Sequence, residues 1–126
     1  MEKDNNNTPP QEDVGLLLAA FGSTRAPARA AYAALEESVR TAFPGRIPAW
    51  AYTSPTVRKK LAEKGEIFHD PQETLARLAS AGMRRVAVLS AHIAPGDEFH
   101  RLCAACKSPL PGRPWPERVE IAAPLL

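Results

Sequence analysis

The chain has 126 residues, enough for one domain with a single hydrophobic core that needs neither disulfides nor a structural metal. Its 16 Lys and Arg residues against 14 Asp and Glu give a net charge of +2, well short of the basic excess typical of a general nucleic-acid binder. No stretch approaches the apolar length that spans a membrane.

Residues 1–13, MEKDNNNTPPQED, are expected to form a disordered leader, because they hold too little apolar surface to offset the entropy of ordering. They also lack the apolar centre of a signal peptide. Cys103 and Cys106 lie too close in sequence to suggest a secreted disulfide framework. We therefore expect a soluble cytoplasmic protein with no membrane or nucleic-acid partner, whose structured domain covers residues 14–126.

The structured part begins with a strand, a loop and a helix. Residues 14–20 are a dense apolar run, which predicts a buried strand. After Phe21-Gly22-Ser23-Thr24, apolar residues recur at spacings of three and four, which predicts a helix that Pro44-Gly45 ends. The recurring residues are Ala28, Tyr32, Leu35, Val39 and Ala42.

A second strand is predicted over residues 47–52, with Pro48 near its start, where proline is tolerated. Ser54-Pro55 then opens a helix, because serine can accept from the free amides of the first turn and proline suits the first helical position. The apolar positions Val57, Leu61 and Ala62 continue this helix as far as Gly65.

The same start signal recurs at Asp70-Pro71-Gln72-Glu73, with Glu73 in the capping-box position, and predicts a helix that stops at Gly82. Residues 86–89 form a continuous apolar run, as in a parallel strand covered on both faces. A further helical face is predicted from Phe99, Leu102, Cys103, Cys106 and Leu110, and a last strand over residues 119–122.

Strands and helices thus alternate along the chain. This alternation predicts an α/β fold: a four-stranded parallel sheet with helices on both faces, in a flavodoxin-like layout. Ligands of such sheets bind just past the carboxyl ends of the strands, which directs attention to the loops that follow the first and third strands.

The loop after the first strand, residues 21–25, is one candidate binding site. Gly22 lets the backbone approach a ligand, and the amino terminus of the following helix favours an anion. The alternative is that Ser23 or Thr24 simply caps the helix. Arg25, with Arg29, Arg58, Lys59 and Lys60, could together attract a polycarboxylate, although a solvated charged surface is the better explanation for any one of them.

The loop after the third strand carries His92, Asp97 and Glu98. A neutral imidazole can bind a divalent cation or accept a proton, and the carboxylates lie across a Pro-Gly turn from it. The alternatives are a hydrogen-bonded surface histidine and carboxylates that the helix dipole favours without any catalytic role. Cys103 and Cys106 permit a zinc or thiol site, but a second CxxC pair is missing and burial in the core explains them better.

Three segments match, in order, those of one enzyme family. LLLAAFGST at 16–24 resembles the family's first strand and FGTS-like loop, AWAYTSPTVRKKLAEKG at 49–65 its AxTSxxIRKKL segment, and LSAHIAPGDEFHRL at 89–102 its SLHxxxGxEY/F stretch. The final APLL resembles the start of its domain linker. The family is that of the anaerobic sirohydrochlorin cobaltochelatases, the CbiK type of class II chelatase, and the resemblance is to its amino-terminal half.

The resemblance implies insertion of cobalt(II), as substrate metal and with no organic cofactor, into sirohydrochlorin on the oxygen-independent route to cobalamin. It implies that Glu98 is catalytic, that His92 is catalytic and binds the metal, and that the loop of Phe21, Gly22, Ser23, Thr24 and Arg25 binds the tetrapyrrole.

The resemblance also implies two similar halves that face one cleft, with the principal metal-binding histidines in a second half for which this sequence has no counterpart. Nor does Phe21-Gly22 reproduce the GHG-type histidine of the short homodimeric relatives. We therefore expect a homo-oligomer or a second-half polypeptide as partner. The alternative is a non-catalytic module that binds a tetrapyrrole or a metal ion.

Overall fold

A computed structural model describes residues 14–91 and 97–122, and within these ranges four strands alternate with four helices. The elements are β1 (Val14–Ala20), α1 (Ala26–Ala42), β2 (Ala49–Tyr52), α2 (Pro55–Glu63), α3 (Pro71–Ser80), β3 (Arg85–Ser90), α4 (Asp97–Cys106) and β4 (Arg118–Ala122). The strands form one parallel sheet in the order β2-β1-β3-β4. The predicted α/β fold is confirmed, whereas the expected leader at residues 1–13 and the APLL segment lie outside the described residues.

Helices cover both faces of the sheet, which explains the uninterrupted apolar run in β1. Leu17 points to the face covered by α3 and α4, where it packs with Leu75 and Leu102. Leu18 points to the opposite face and packs with Val39 of α1. Because successive side chains of a strand alternate between faces, a central strand buried on both sides must be apolar at every position.

Two helix starts agree with the sequence signals. The Ser54 hydroxyl accepts from the Val57 amide at 3.1 Å, and an Asp70 carboxylate oxygen accepts from the Glu73 amide at 2.8 Å. The Glu73 side chain, predicted in a capping box, instead binds Arg113 at 2.9 Å, and Arg77 at 2.9 Å. Its carboxylate therefore joins α3 to the segment that leads into β4.

Two predicted boundaries were wrong. The second strand begins at Ala49, two positions later than predicted, and Ile47 is 75% exposed, since Pro48 has no amide to donate to a neighbouring strand. The fourth helix ends at Cys106, so Leu110 does not belong to its apolar face. Pro109 explains this end, because proline disfavours the helical conformation of the residue before it.

No helix within the described ranges has the length and apolar character needed to cross a membrane.

Candidate functional site

The carboxyl edge of the sheet brings together the residues that directly follow β1, β2 and β3. The Thr53 amide donates to the Ala20 carbonyl at 2.8 Å, and the Ser54 amide donates to the Phe21 carbonyl at 3.1 Å. On the other side of β1, the Ala91 amide donates to the Ala19 carbonyl at 2.7 Å. These bonds continue the strand pairing past the regular sheet and fix Phe21, Thr53 and Ala91 relative to one another.

A cavity of about 370 Å³ opens at this edge, between the loop after β1, the start of α2 and the first turns of α4. Apolar groups form much of its wall, while hydroxyls and two side chains of opposite charge supply its polar part. The lining residues are Phe21, Thr53, Ser54, Pro55, Thr56, Pro71, Glu98, Arg101, Leu102 and Ala105.

Glu98, a predicted catalytic residue, lies in the first turn of α4 and lines this cavity. The Thr53 hydroxyl donates a long hydrogen bond of 3.5 Å to its Oε1, and an Arg101 guanidinium nitrogen lies 3.7 Å from its Oε2. Its position at the amino end of a helix also favours negative charge. Glu98 is therefore a partly exposed carboxylate with weak contacts, a state in which it can accept a proton or bind a cation.

The loop after β1 divides into a part that lines the cavity and a part that does not. Phe21, 48% exposed, contributes its side chain to the wall. Ser23, Thr24 and Arg25 are absent from the lining. The prediction that Ser23 or Thr24 caps the helix is also wrong, because the residue at the cap position of α1 is Arg25. The Ser23 hydroxyl instead accepts a hydrogen bond from the Arg25 amide at 2.9 Å.

Gly22 is required by a close approach inside the protein. Its φ of 99° suits glycine, and a side-chain carbon here would lie 2.7 Å from the ring of Tyr52. Tyr52 is 4% exposed and stacks on Phe68 with ring centroids 4.1 Å apart. Burial raises the pKa of the Tyr52 phenol above its usual value, so this ring is a neutral wall behind the loop.

His92, predicted as a metal ligand and catalytic residue, lies outside the described residues, so both roles remain predictions. Asp97 is exposed at the start of α4 and is absent from the cavity lining. Of the two neighbouring carboxylates, Glu98 is therefore the one that lines the cavity.

The predicted basic group is partly used within the protein. Arg29 binds Glu66 at 2.6 Å, and this hydrogen bond raises the pKa of the guanidinium. An Arg58 nitrogen donates to the Tyr52 carbonyl at 2.6 Å. Arg29 thus joins α1 to the segment after α2, and Arg58 joins α2 to the end of β2.

Cys103 and Cys106 are free thiols, and Cys106 belongs to the buried core. Burial is the main cause that raises the pKa of the Cys106 thiol to about 12, and the nearby Cys103 adds a smaller effect. Among residues 14–91 and 97–122, no three His, Cys, Asp or Glu side chains lie close enough to hold a metal ion together. The core interpretation of Cys106 is confirmed.

Sequence reasoning missed Thr53, Thr56 and Arg101 as members of the site. Thr53 follows the carboxyl end of β2, so the rule applied to the other two strands could have found it. Arg101 follows Glu98 by three positions, which places both side chains on one face of a helix.

Comparison with known proteins gives the family of the chain. The family model of cobalt chelatase (CbiK) matches residues 14–126. The chain is also 36% identical over 95 residues to a sirohydrochlorin cobaltochelatase, CbiKC, of Nitratidesulfovibrio vulgaris. This alignment covers 75% of the chain but 34% of that relative. Since the family match extends over the whole of the α/β domain, the chain belongs to the CbiK cobalt chelatase family.

Proposed function

We propose that this chain contributes to a chelatase site that inserts cobalt(II) into sirohydrochlorin on the oxygen-independent route to cobalamin. The observation that carries the proposal is Glu98, a carboxylate at the carboxyl edge of the sheet that lines an open cavity, in a chain of the cobalt chelatase family. Cobalt(II) is the substrate metal, and the proposal needs no organic cofactor. Two free thiols fit a reducing compartment, and we place the reaction in the cytoplasm.

The reaction exchanges the two pyrrole N–H protons of the free ring for one divalent cation. A catalyst must accept these protons, deliver the cation, and hold the ring so that its nitrogen lone pairs point at the metal. Carboxylate and imidazole groups suit the first two tasks. Within the described cavity, Glu98 is the group able to do either, and the Thr53 hydroxyl lies 3.5 Å from its Oε1. His92 is proposed to bind the incoming cation.

The apolar part of the wall suits the third task. Phe21 and Leu102 present carbon surface to the cavity, and Pro55 adds a rigid edge. A flat tetrapyrrole has apolar faces and a rim of carboxylates, so it can lay one face against this surface. A cavity of about 370 Å³ holds part of such a ring, which leaves the opposite face to a partner. We propose a second copy of this chain or a second-half polypeptide as that partner.

A non-catalytic tetrapyrrole-binding module is the second candidate. The observation that favours it is the donor set, since the described cavity lining includes neither histidine nor cysteine. A transition metal bound by one carboxylate alone would be held weakly. In that case the chain would bind the ring without accelerating metal insertion.

Anaerobic absorption spectroscopy of sirohydrochlorin with cobalt(II) separates the two candidates. The full chain is compared with Glu98→Gln, His92→Ala and no protein. Loss of a general base lowers rates by about 100-fold or more, and we expect this for Glu98→Gln. Glu117→Gln is the matched control, because this exposed carboxylate precedes β4 at the opposite edge of the sheet.

Faster insertion that falls in Glu98→Gln but not in Glu117→Gln supports the chelatase. A spectral shift of the ring without acceleration supports the binding module instead. A spectrum that shows neither a shift of the ring absorption nor faster insertion would refute both candidates for this chain.

A further inference from the structure

The cavity at the carboxyl edge holds a guanidinium whose role the proposed reaction leaves open. Arg101 lines the cavity one helical turn after Glu98, and its side chain is 75% exposed. Proton acceptance and metal delivery need a base or an electron-pair donor. An arginine is neither, because its guanidinium stays protonated and carries donors only.

The contact between Arg101 and Glu98 is loose. Their closest charged atoms are 3.7 Å apart, which is too long for a good hydrogen bond. Other described arginine–glutamate pairs can be much tighter, such as Arg29 and Glu66 at 2.6 Å. An exposed pair at the longer distance contributes little to stability, so Arg101 can change partner at small cost.

The surroundings of Arg101 suit an anionic ligand with apolar parts. The hydroxyl-bearing side chains of Thr53 and Thr56 lie on the cavity wall with it, and Phe21 and Leu102 supply apolar surface. Guanidinium groups bind carboxylates through two parallel hydrogen bonds, a geometry that the ammonium of lysine cannot reproduce. Such a site fits the carboxylated rim of a flat ring better than it fits a small inorganic anion.

We propose that Arg101 binds a peripheral carboxylate of the tetrapyrrole. This inference rests on the proposed function, because it assigns the ligand of the same cavity. Arg101 is a substrate-positioning residue here. Its charge also offsets the repulsion between the Glu98 carboxylate and a polyanionic ring.

The test measures binding of uroporphyrin, a metal-free tetrapyrrole with carboxylates around its rim, by quenching of porphyrin fluorescence. We expect Arg101→Gln to weaken binding about tenfold or more, the effect of losing one charged hydrogen-bonded pair. The uroporphyrin affinity of Arg101→Lys should lie between those of the unmodified chain and Arg101→Gln, because lysine keeps the charge and loses the bidentate geometry. Arg118→Gln is the matched control, an exposed arginine that also lies 3.7 Å from a glutamate, on β4.

A second probe tests the role of charge. Binding of a cationic N-methylpyridyl porphyrin should not weaken in Arg101→Gln, since the ring is retained and the carboxylates are gone. Equal uroporphyrin affinity in Arg101→Gln and the unmodified chain would overturn the inference, as would an equal loss in Arg118→Gln.

Metal insertion distinguishes this inference from the proposed function. If the chain accelerates cobalt insertion, Arg101→Gln should raise KM with a smaller effect on kcat, and an unchanged KM would overturn the inference alone. If uroporphyrin binding depends on Arg101 but cobalt insertion is never accelerated, the chelatase proposal fails and the carboxylate site stands.

Discussion

Replacing Gly22 by alanine should destabilise the loop that forms one wall of the cavity. The added carbon would lie 2.7 Å from Cδ2, 2.8 Å from Cγ and 3.1 Å from Cβ of Tyr52. Rotation of the ring cannot relieve the contact with Cβ, which is fixed to the backbone of β2. The stack of Tyr52 on Phe68, at 4.1 Å between ring centroids, also leaves the ring little room to move.

The expected loss has two parts. A left-handed backbone costs an L-residue about 1–2 kcal/mol relative to glycine, and overpacking of a buried site costs about 1–3 kcal/mol more. We therefore expect the free energy of unfolding to fall by about 2–5 kcal/mol in Gly22→Ala. Gly82→Ala isolates the first part, because Gly82 has a nearly equal φ of 100° and nothing within 4 Å of the added carbon.

Urea denaturation followed by circular dichroism measures both variants. The two variants share the backbone cost. The difference between their losses in free energy of unfolding therefore measures the contact with Tyr52 alone. If Gly22→Ala and Gly82→Ala lose the same stability within about 0.5 kcal/mol, steric contact with Tyr52 does not explain the glycine and the reasoning is wrong.

Three further predictions concern other parts of the fold. Arg113 chiefly lowers the pKa of Glu73 from its usual 4.5 to about 2, so the pair stabilises the fold above pH 4.5 and loses this effect as the pH falls through 2. Arg113→Gln should therefore flatten the acid limb of the stability profile between pH 5 and 2, and an unchanged limb would contradict the assignment. Thiol titration at pH 8 should modify Cys103 before Cys106, whose pKa is raised to about 12, and equal rates in the folded chain would contradict its burial. Ser54→Ala should lower the free energy of unfolding by roughly 1 kcal/mol in urea denaturation, because it removes the cap of α2, and no change would show that the cap is dispensable.

Periodicity and helix-capping signals predicted the elements well, because both depend on local chemistry. The run at Val14–Ala20 matched the first strand at both ends, and the residues before α2 and α3 supplied their caps. Errors occurred where a proline interrupts an apolar pattern, as it does beside Ile47 and before Leu110. There the backbone chemistry of proline outweighs the hydrophobic periodicity.

The candidate site was predicted in part, for a different reason. Glu98 and Phe21 follow strand ends, and the rule for open α/β sheets placed both correctly at the carboxyl edge. The same rule could not tell which members of a loop turn into the cavity, so it grouped Ser23, Thr24 and Arg25 with Phe21. Side-chain direction in a loop depends on the neighbours it packs against, here Tyr52 behind Gly22.

The sequence by itself determined the order of the elements, the parallel sheet and the family, since these follow from local patterns and ordered motifs along the chain. Only the tertiary structure showed that Thr53 and Arg101 share a cavity with Glu98 and that Arg29 and Arg58 are bound within the protein. Thr53 and Glu98 are 45 positions apart, and Arg29 and Glu66 are 37 positions apart. Contacts between residues so distant in sequence arise from strand order and helix packing, which no local pattern records.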